Sequence, residues 1–249
     1  VDLVELTSVG GFFALRTGGA DAGRTTLAEV YEGGSAALRD RVAKVAGRTG
    51  APEWRVAASI AHLGLAARLW SVALGSAALY GALPDLDPAR LRWDPDATSP
   101  DDLFLVGSAA GGGAARDGAP GGVPEAPEVP ATVEALREGV QDRHLVPLAR
   151  ALRHEGNISE RLLWGNAGSA LAAAVGQLRT WARDHDRPEA GRRAAQLAHG
   201  LFAHPDLNAT GSLRAGAFRR NSCCLYYRCP KGGLCGDCAF DTPPGGPAR

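Results

Sequence analysis

No cysteine occurs before Cys223, and all five lie between Cys223 and Cys238. A disulfide framework distributes an even count along the chain, so this placement excludes one. A surplus of charge is also missing: Lys+Arg and Asp+Glu each number 27, for a formal net charge of +0. Nucleic-acid binding rests on an excess of Lys and Arg, so no nucleic-acid partner is expected. The first residues, Val1-Asp2-Leu3-Val4-Glu5, lack the basic stretch and apolar core of a secretory signal. The longest apolar run, Val56 to Leu83, is broken by His62 and Arg68. It leaves no uncharged stretch of the ~18 residues that a spanning helix needs. These absences lead to the expectation of a cytoplasmic protein that does not span a membrane. In a reducing compartment, clustered cysteines read as metal ligands.

Familiar catalytic signatures are absent as well. There is no G-x-G-x-x-G after a strand, no G-x-x-x-x-G-K-[ST], no H-E-x-x-H and no G-x-S-x-G. No repeat of solenoid length is visible. What remains is a chain of 249 residues with 45% hydrophobic and 22% charged residues, enough to bury a core as one large domain or two small ones.

The patterning predicts an α+β protein, mostly helical, with a small antiparallel sheet and a C-terminal Cys-rich tail. Residues 1–106 form an N-terminal α+β region, and residues 131–249 a helical region ending in the tail at 218–240. Between them, 107–130 is rich in Gly, Ala and Pro and is expected to be a flexible loop or linker, because it offers little to bury. Val9–Arg16, bounded by glycines, reads as a strand, as do Leu91–Trp93 and Leu103–Val106. Ser35–Gly47 reads as a helix, and Trp54–Leu83 as two helices or one bent one. On one face of the latter, Gly64, Arg68, Ser71, Gly75 and Ala78 form a stripe that lets another segment approach, with Arg68 read as a paired core arginine. Thr132–His154 is helical, with Pro147 bending or restarting it. Asn157 and Glu160 have capping-box spacing before a helix running to about Arg183, and Pro188 opens another.

The chemistry sits in Phe218–Phe240. Cys223 and Cys224 are adjacent, ten residues separate Cys224 from Cys235, and Cys235 and Cys238 form a C-x-x-C flanked by Gly232, Gly233 and Gly236. A structural zinc site wants two C-x-x-C knuckles, which adjacent cysteines cannot supply. A thioredoxin-type C-x-x-C needs a strand before it and a helix after it, but Pro243 and Pro244 follow here. Iron–sulfur ligation fits best. Four thiolates bind a [2Fe–2S] core two per iron, and two iron centres tolerate spacings that one ion does not.

This C-terminal pattern, with Arg-Arg-x-x-Cys-Cys-Leu-Tyr-Tyr-Arg at 219–228 and Gly-Gly-Leu-Cys-Gly-Asp-Cys at 232–238, resembles the FhuF-type ferric-siderophore reductases. Ser159-Glu-Arg-Leu-Leu-Trp-Gly-Asn166 resembles the Trp-Gly-Asn signature of that family, and Leu63-Gly-Leu-Ala-Ala-Arg-Leu-Trp70 is a looser match. The resemblance implies Cys223, Cys224, Cys235 and Cys238 as ligands of a [2Fe–2S] cluster, with Cys229 outside the set. It implies one-electron reduction of a hydroxamate- or catecholate-type ferric siderophore. Because no dinucleotide fingerprint exists, electrons are expected from an external donor such as a ferredoxin or a ferredoxin reductase. Arg219, Arg220, Trp164 and Asn166 are candidate substrate-binding residues. Arg219, Arg220, Arg228 and Lys231 place positive charge near the ligands, which favours a reduced, more negative cluster. Tyr226 and Tyr227 are placed to shield it from water. An iron–sulfur sensor or carrier without catalysis, or a siderophore-binding relative without redox activity, are the alternatives.

Overall fold

The computed structural model of the protein describes residues 1–17, 24–106, 128–214 and 217–244. Two short helices, α1 (Leu3–Thr7) and α2 (Leu27–Tyr31), and the longer α3 (Ala36–Thr49) precede the central α4 (Trp54–Tyr80). Helix α5 (Val133–Leu136) continues through a π-helical segment, Arg137–Leu145, into α6 (Val146–Glu155). Then come α7 (Glu160–Asp184), α8 (Pro188–Ala203) and the single turn α9 (Pro205–Asn208). Strands β1 (Arg16–Thr17), β2 (Thr25–Thr26), β4 (Leu91–Trp93) and β5 (Leu103–Leu105) form one sheet in the order β1-β5-β4-β2, antiparallel except for β1 against β5. Strand β3 (Ala82–Leu83) pairs with β6 (Val129–Pro130), and β7 (Gly211–Arg214) with β8 (Ala217–Arg220). The fold is α+β and mostly helical, with small and largely antiparallel sheets.

Helix α4 is the core. It is apolar around most of its circumference and packs against α3, α7 and α8, as a helix must when other helices cover it on several sides. By length and composition it could cross a membrane, yet 78% of its most apolar window is buried inside the fold. It is one helix, not two, and ends where Gly81 takes a left-handed φ of 72°. Of the small-residue stripe, Gly75 carries the close approach. A Cβ there would meet the Phe13 ring at 2.6 Å and Leu6 at 2.7 Å, whereas nothing lies within 4 Å of one at Gly64.

Arg68, 1% exposed, explains why the expected strand over Val9–Arg16 begins only at Arg16. The chain forms a 3-10 turn at Gly11–Phe13, and the carbonyls of Gly11 (3.0 Å), Phe12 and Ala14 (2.6 Å) accept from the Arg68 guanidinium instead of from a neighbouring strand. Its Nε donates to Asp102 Oδ1 at 2.8 Å. Asp102 immediately precedes β5, where Leu91 faces Leu105 and Trp93 faces Leu103, all four side chains turned inward. Arg68 is therefore the paired core arginine that the sequence suggested, and it joins the sheet to the central helix.

Pro147 restarts the α5–α6 rod as expected. The preceding turns widen, so that Val146 N–H bonds to the Gln141 carbonyl five residues back, which accommodates a proline lacking its own donor. In this segment His144 is fully buried. Its Nε2–H donates to Leu86 O at 2.7 Å, and Nδ1 accepts from the Tyr31 hydroxyl at 2.8 Å. Two other expectations change. Helix α7 begins at Glu160 with Ser159 as its N-cap and no capping side-chain bond, so Asn157 makes no capping box there. The 107–130 segment lies outside the described residues except for its end, where Val129 and Pro130 pair with β3.

Two measurements test this core. Asp102→Ala leaves a buried guanidinium without its counter-charge and should lower stability by about 3–5 kcal/mol in urea unfolding. Burial pushes His144 down from 6.5 to about 4. Below pH 6.5 the unfolded chain therefore takes up a proton that the folded chain refuses. Stability should fall with acidification between these limits by about 1.4 kcal/mol per pH unit relative to His144→Gln, with no such difference above pH 7.

Candidate iron–sulfur site

The site is built from the β7–β8 hairpin onward. Along β8, alternation sends Phe218 and Arg220 inward and Ala217 and Arg219 outward. Two adjacent arginines thus have different surroundings. The Arg219 guanidinium is half exposed and pairs with Asp241 at 2.8 Å. Arg220 is 1% exposed. Phe218 stacks on Phe202 with ring centroids 5.3 Å apart. Its ring lies where a Cβ on Gly211 would sit, at 2.3 Å, so only glycine fits at the start of β7.

After β8 the chain crosses α7 at its Trp-Gly-Asn triplet. Gly165 admits Ser222, since a Cβ at Gly165 would sit 1.9 Å from Ser222 Oγ. Asn166, fully buried, joins three elements. Its Nδ2 donates to Ser59 O (2.9 Å) and Ser59 Oγ (3.1 Å) on α4, and its Oδ1 accepts from Arg220 Nη2. Ser59 Oγ in turn donates to the Cys224 carbonyl at 2.7 Å. The cysteine loop is thereby fastened to the two longest helices.

Four of the five thiols come near one another, two of them in contact. Cys224 Sγ lies 3.8 Å from Cys235 Sγ. Two thiolates on one tetrahedral metal, with metal–sulfur bonds of about 2.3 Å, sit about 3.8 Å apart. Cys223 has Cys224 and Cys238 as electrostatic neighbours. Leu225, in a left-handed conformation at φ 69°, turns the chain so that its N–H reaches Cys223 Sγ at 3.2 Å, and Phe240 N–H reaches Cys238 Sγ at 3.5 Å. The two halves of the motif are held together by Arg220 N–H bonding to Asp237 O at 3.0 Å, and the C-x-x-C turn is closed by Cys238 N–H to Cys235 O at 3.0 Å.

Burial and then neighbouring thiols push Cys223 up. Cys235 is raised further, by burial, by Cys224 and by Asp237. Packed thiols resist losing their protons together, and a bound metal cation reverses that preference. Among the described residues, no three His, Cys, Asp or Glu side chains are arranged around a single ion position. The donor set is soft sulfur, with backbone N–H groups directed at two of the sulfurs, and this chemistry fits a two-iron cluster.

Cys229 has a different place. Its N–H bonds to Tyr226 O at 3.0 Å and its carbonyl accepts from Gly232 N at 2.8 Å, so it closes the 3-10 turn Tyr226–Arg228. Arg228 of that turn pairs with Glu53 before α4 at 2.6 Å. Tyr227 lies edge-on to Phe240, with centroids 6.0 Å apart.

The four candidate substrate contacts separate. Trp164 lines an open pocket of about 290 Å³ with Arg161, Asp206, Thr210 and Ser222, beside the first cysteines. Arg219 is at the surface. Asn166 and Arg220 are buried and bond to each other. Sequence reasoning missed Ser59, a polar position on a mostly apolar helix that anchors the Cys224 carbonyl. It also missed the Asp237 carbonyl.

Gly165→Ala should displace Ser222 and with it the cysteine loop, reducing iron and sulfide content by at least half. Adding Ser222→Ala removes the clashing oxygen and should restore most of the loading; equal losses in the single and double variants would contradict this packing.

Comparison with known sequences agrees with this geometry. The family described as "Ferric iron reductase FhuF-like transporter" matches residues 67–221, and the "FhuF 2Fe-2S C-terminal domain" matches residues 220–240. A "Ferric siderophore reductase" of Escherichia coli (strain K12) is 30% identical over 105 residues, which cover 39% of this chain and 37% of that protein. The alignment thus spans well under half of that relative's length. Because the first match takes in more than half of its residues, the chain belongs to the FhuF-like ferric iron reductase family, and the C-terminal match assigns it a [2Fe–2S] cluster as cofactor.

Proposed function

We propose that the protein reduces ferric siderophores by one electron and so releases Fe(II), with Cys223, Cys224, Cys235 and Cys238 holding its cluster. The observation that carries this reading is the approach of Cys224 to Cys235 at 3.8 Å, with Cys223 and Cys238 alongside, next to the open pocket lined by Trp164 and Ser222. When bound, the cluster stores and delivers one electron. The protein's own residues fix the ligands and limit water. Ser59 and Asn166 anchor the Cys224 carbonyl, Leu225 and Phe240 supply N–H groups to sulfur, and the Tyr227 ring packs edge-on against Phe240.

Outer-sphere transfer of one electron needs no general acid or base. The substrate's hard oxygen donors hold Fe(III) more tightly than the larger, less charged Fe(II), so adding one electron weakens their grip. The electron comes from an external one-electron donor of ferredoxin or ferredoxin-reductase type and passes to the substrate iron, which leaves as Fe(II). We place this activity in the cytoplasm, where thiols stay reduced; all five cysteines are free in the structure.

Two experiments test the proposal. Ala at Cys223, Cys224, Cys235 or Cys238 should bleach the protein, while Cys229→Ala should keep its iron. Dithionite-reduced protein mixed anaerobically with ferric hydroxamate and catecholate siderophores should be reoxidised promptly, with about one Fe(II) per electron captured by a chelator. Reoxidation by none of them would favour a sensor or carrier instead.

A further inference from the structure

Among the described residues two arginines are almost completely buried, and they are treated very differently. Arg68, 1% exposed, pairs with Asp102 and donates to three carbonyls. Arg220, also 1% exposed, makes one side-chain bond, from Nη2 to Asn166 Oδ1. Its Nε and Nη1 are buried without a partner among the described residues. The Asn166 amide is neutral, so it satisfies a donor without balancing the charge. A buried, unpaired guanidinium is costly, and a fold keeps one where an anion belongs.

The surroundings indicate which anion. The Arg220 backbone N–H is bonded to Asp237 O, inside the Cys235–Cys238 turn, and Arg220 lies three residues before Cys223. Burial first and the Arg220 charge second hold the buried His62 neutral. The side chain is clamped. Asn166, which holds Nη2, cannot rotate because its Nδ2 is committed to Ser59 O.

We propose that Arg220 is the buried counter-cation of the cysteine site, its two free N–H donors directed to the anionic sulfur of the bound cluster, and that Asn166 is the positioning residue that aims it. This deepens the ligand assignment above and does not depend on siderophore reduction. A four-thiolate [2Fe–2S] cluster is net negative in both oxidation states and gains one more negative charge on reduction. A fixed buried cation therefore favours the reduced form, and salt screens it little. Arg219, at the surface and paired with Asp241, has no such role.

The test is a spectroscopically monitored redox titration of the iron-loaded protein at low and high salt, without siderophore. Arg220→Gln should shift the reduction equilibrium at least tenfold toward the oxidised form, ~59 mV for a one-electron couple, and the shift should persist at 1 M salt. Arg219→Gln should shift it several-fold less, and what shift it has should vanish at 1 M salt. Arg220→Lys, which keeps the charge, should lie nearer the native protein than Arg220→Gln does. An unchanged potential in Arg220→Gln, an equal effect at Arg219, or a lysine variant as shifted as the glutamine one overturns the proposal. Should Arg220→Gln lose its iron, the lysine variant decides: loading restored by lysine supports a charge role, and loading lost in both shows a packing role only. Because no siderophore is present, failure here leaves the reductase reading standing, and failure of that reading leaves this one standing.

Discussion

One side-chain amide connects most of the structure to its chemistry. Asn166 faces α4 with its nitrogen and Arg220 with its oxygen, so the central helix, α7 and the strand leading into the cysteines share one buried polar junction. An amide in this place has no spare freedom: turned over, it would set donor against donor at Arg220 and acceptor against acceptor at the Ser59 carbonyl. Its neighbour Gly165 supplies the other requirement, a surface without a Cβ on which Ser222 can lie. The Trp-Gly-Asn triplet is therefore three different solutions on one helical turn: a wall for the open pocket, a clearance for the loop, and a clamp.

The buried polar groups fall into two kinds. Arg68 with Asp102, and His144 between Tyr31 and Leu86, are satisfied by the chain itself and join the sheet and the π-helical segment to the core. These contacts are about folding. At the other end of α4, Arg220 is left partly unsatisfied and the thiols are gathered against their own preference for protonation. The two Arg220 donors left without a partner among the described residues lie beside the cysteines, where a bound anionic ligand would complete them.

The cysteine motif was legible because its meaning is local: adjacency and a ten-residue interval exclude paired knuckles whatever the rest of the chain does. The helices were legible through apolar periodicity, and Arg68 through its lone charge in an apolar stripe. Val9–Arg16 misled because its strand-like composition could not reveal that its carbonyls belong to Arg68, a partner more than fifty residues away. Asn166 stands among the candidate substrate-binding residues in sequence for the same reason. Its partners lie 107 and 54 residues distant, and no local pattern encodes them. Arg219 and Arg220 looked equivalent until β8 placed them on opposite faces.

The central claim is that the four cysteines hold one two-iron cluster, two thiolates to each iron. Protein purified without oxygen, assayed for iron and acid-labile sulfide, then reduced and measured by electron paramagnetic resonance, tests it most directly. Two irons and two sulfides per chain, with about one unpaired electron for that pair of irons after reduction, are expected. A colourless chain carrying a single zinc, or a single iron without sulfide, would contradict it.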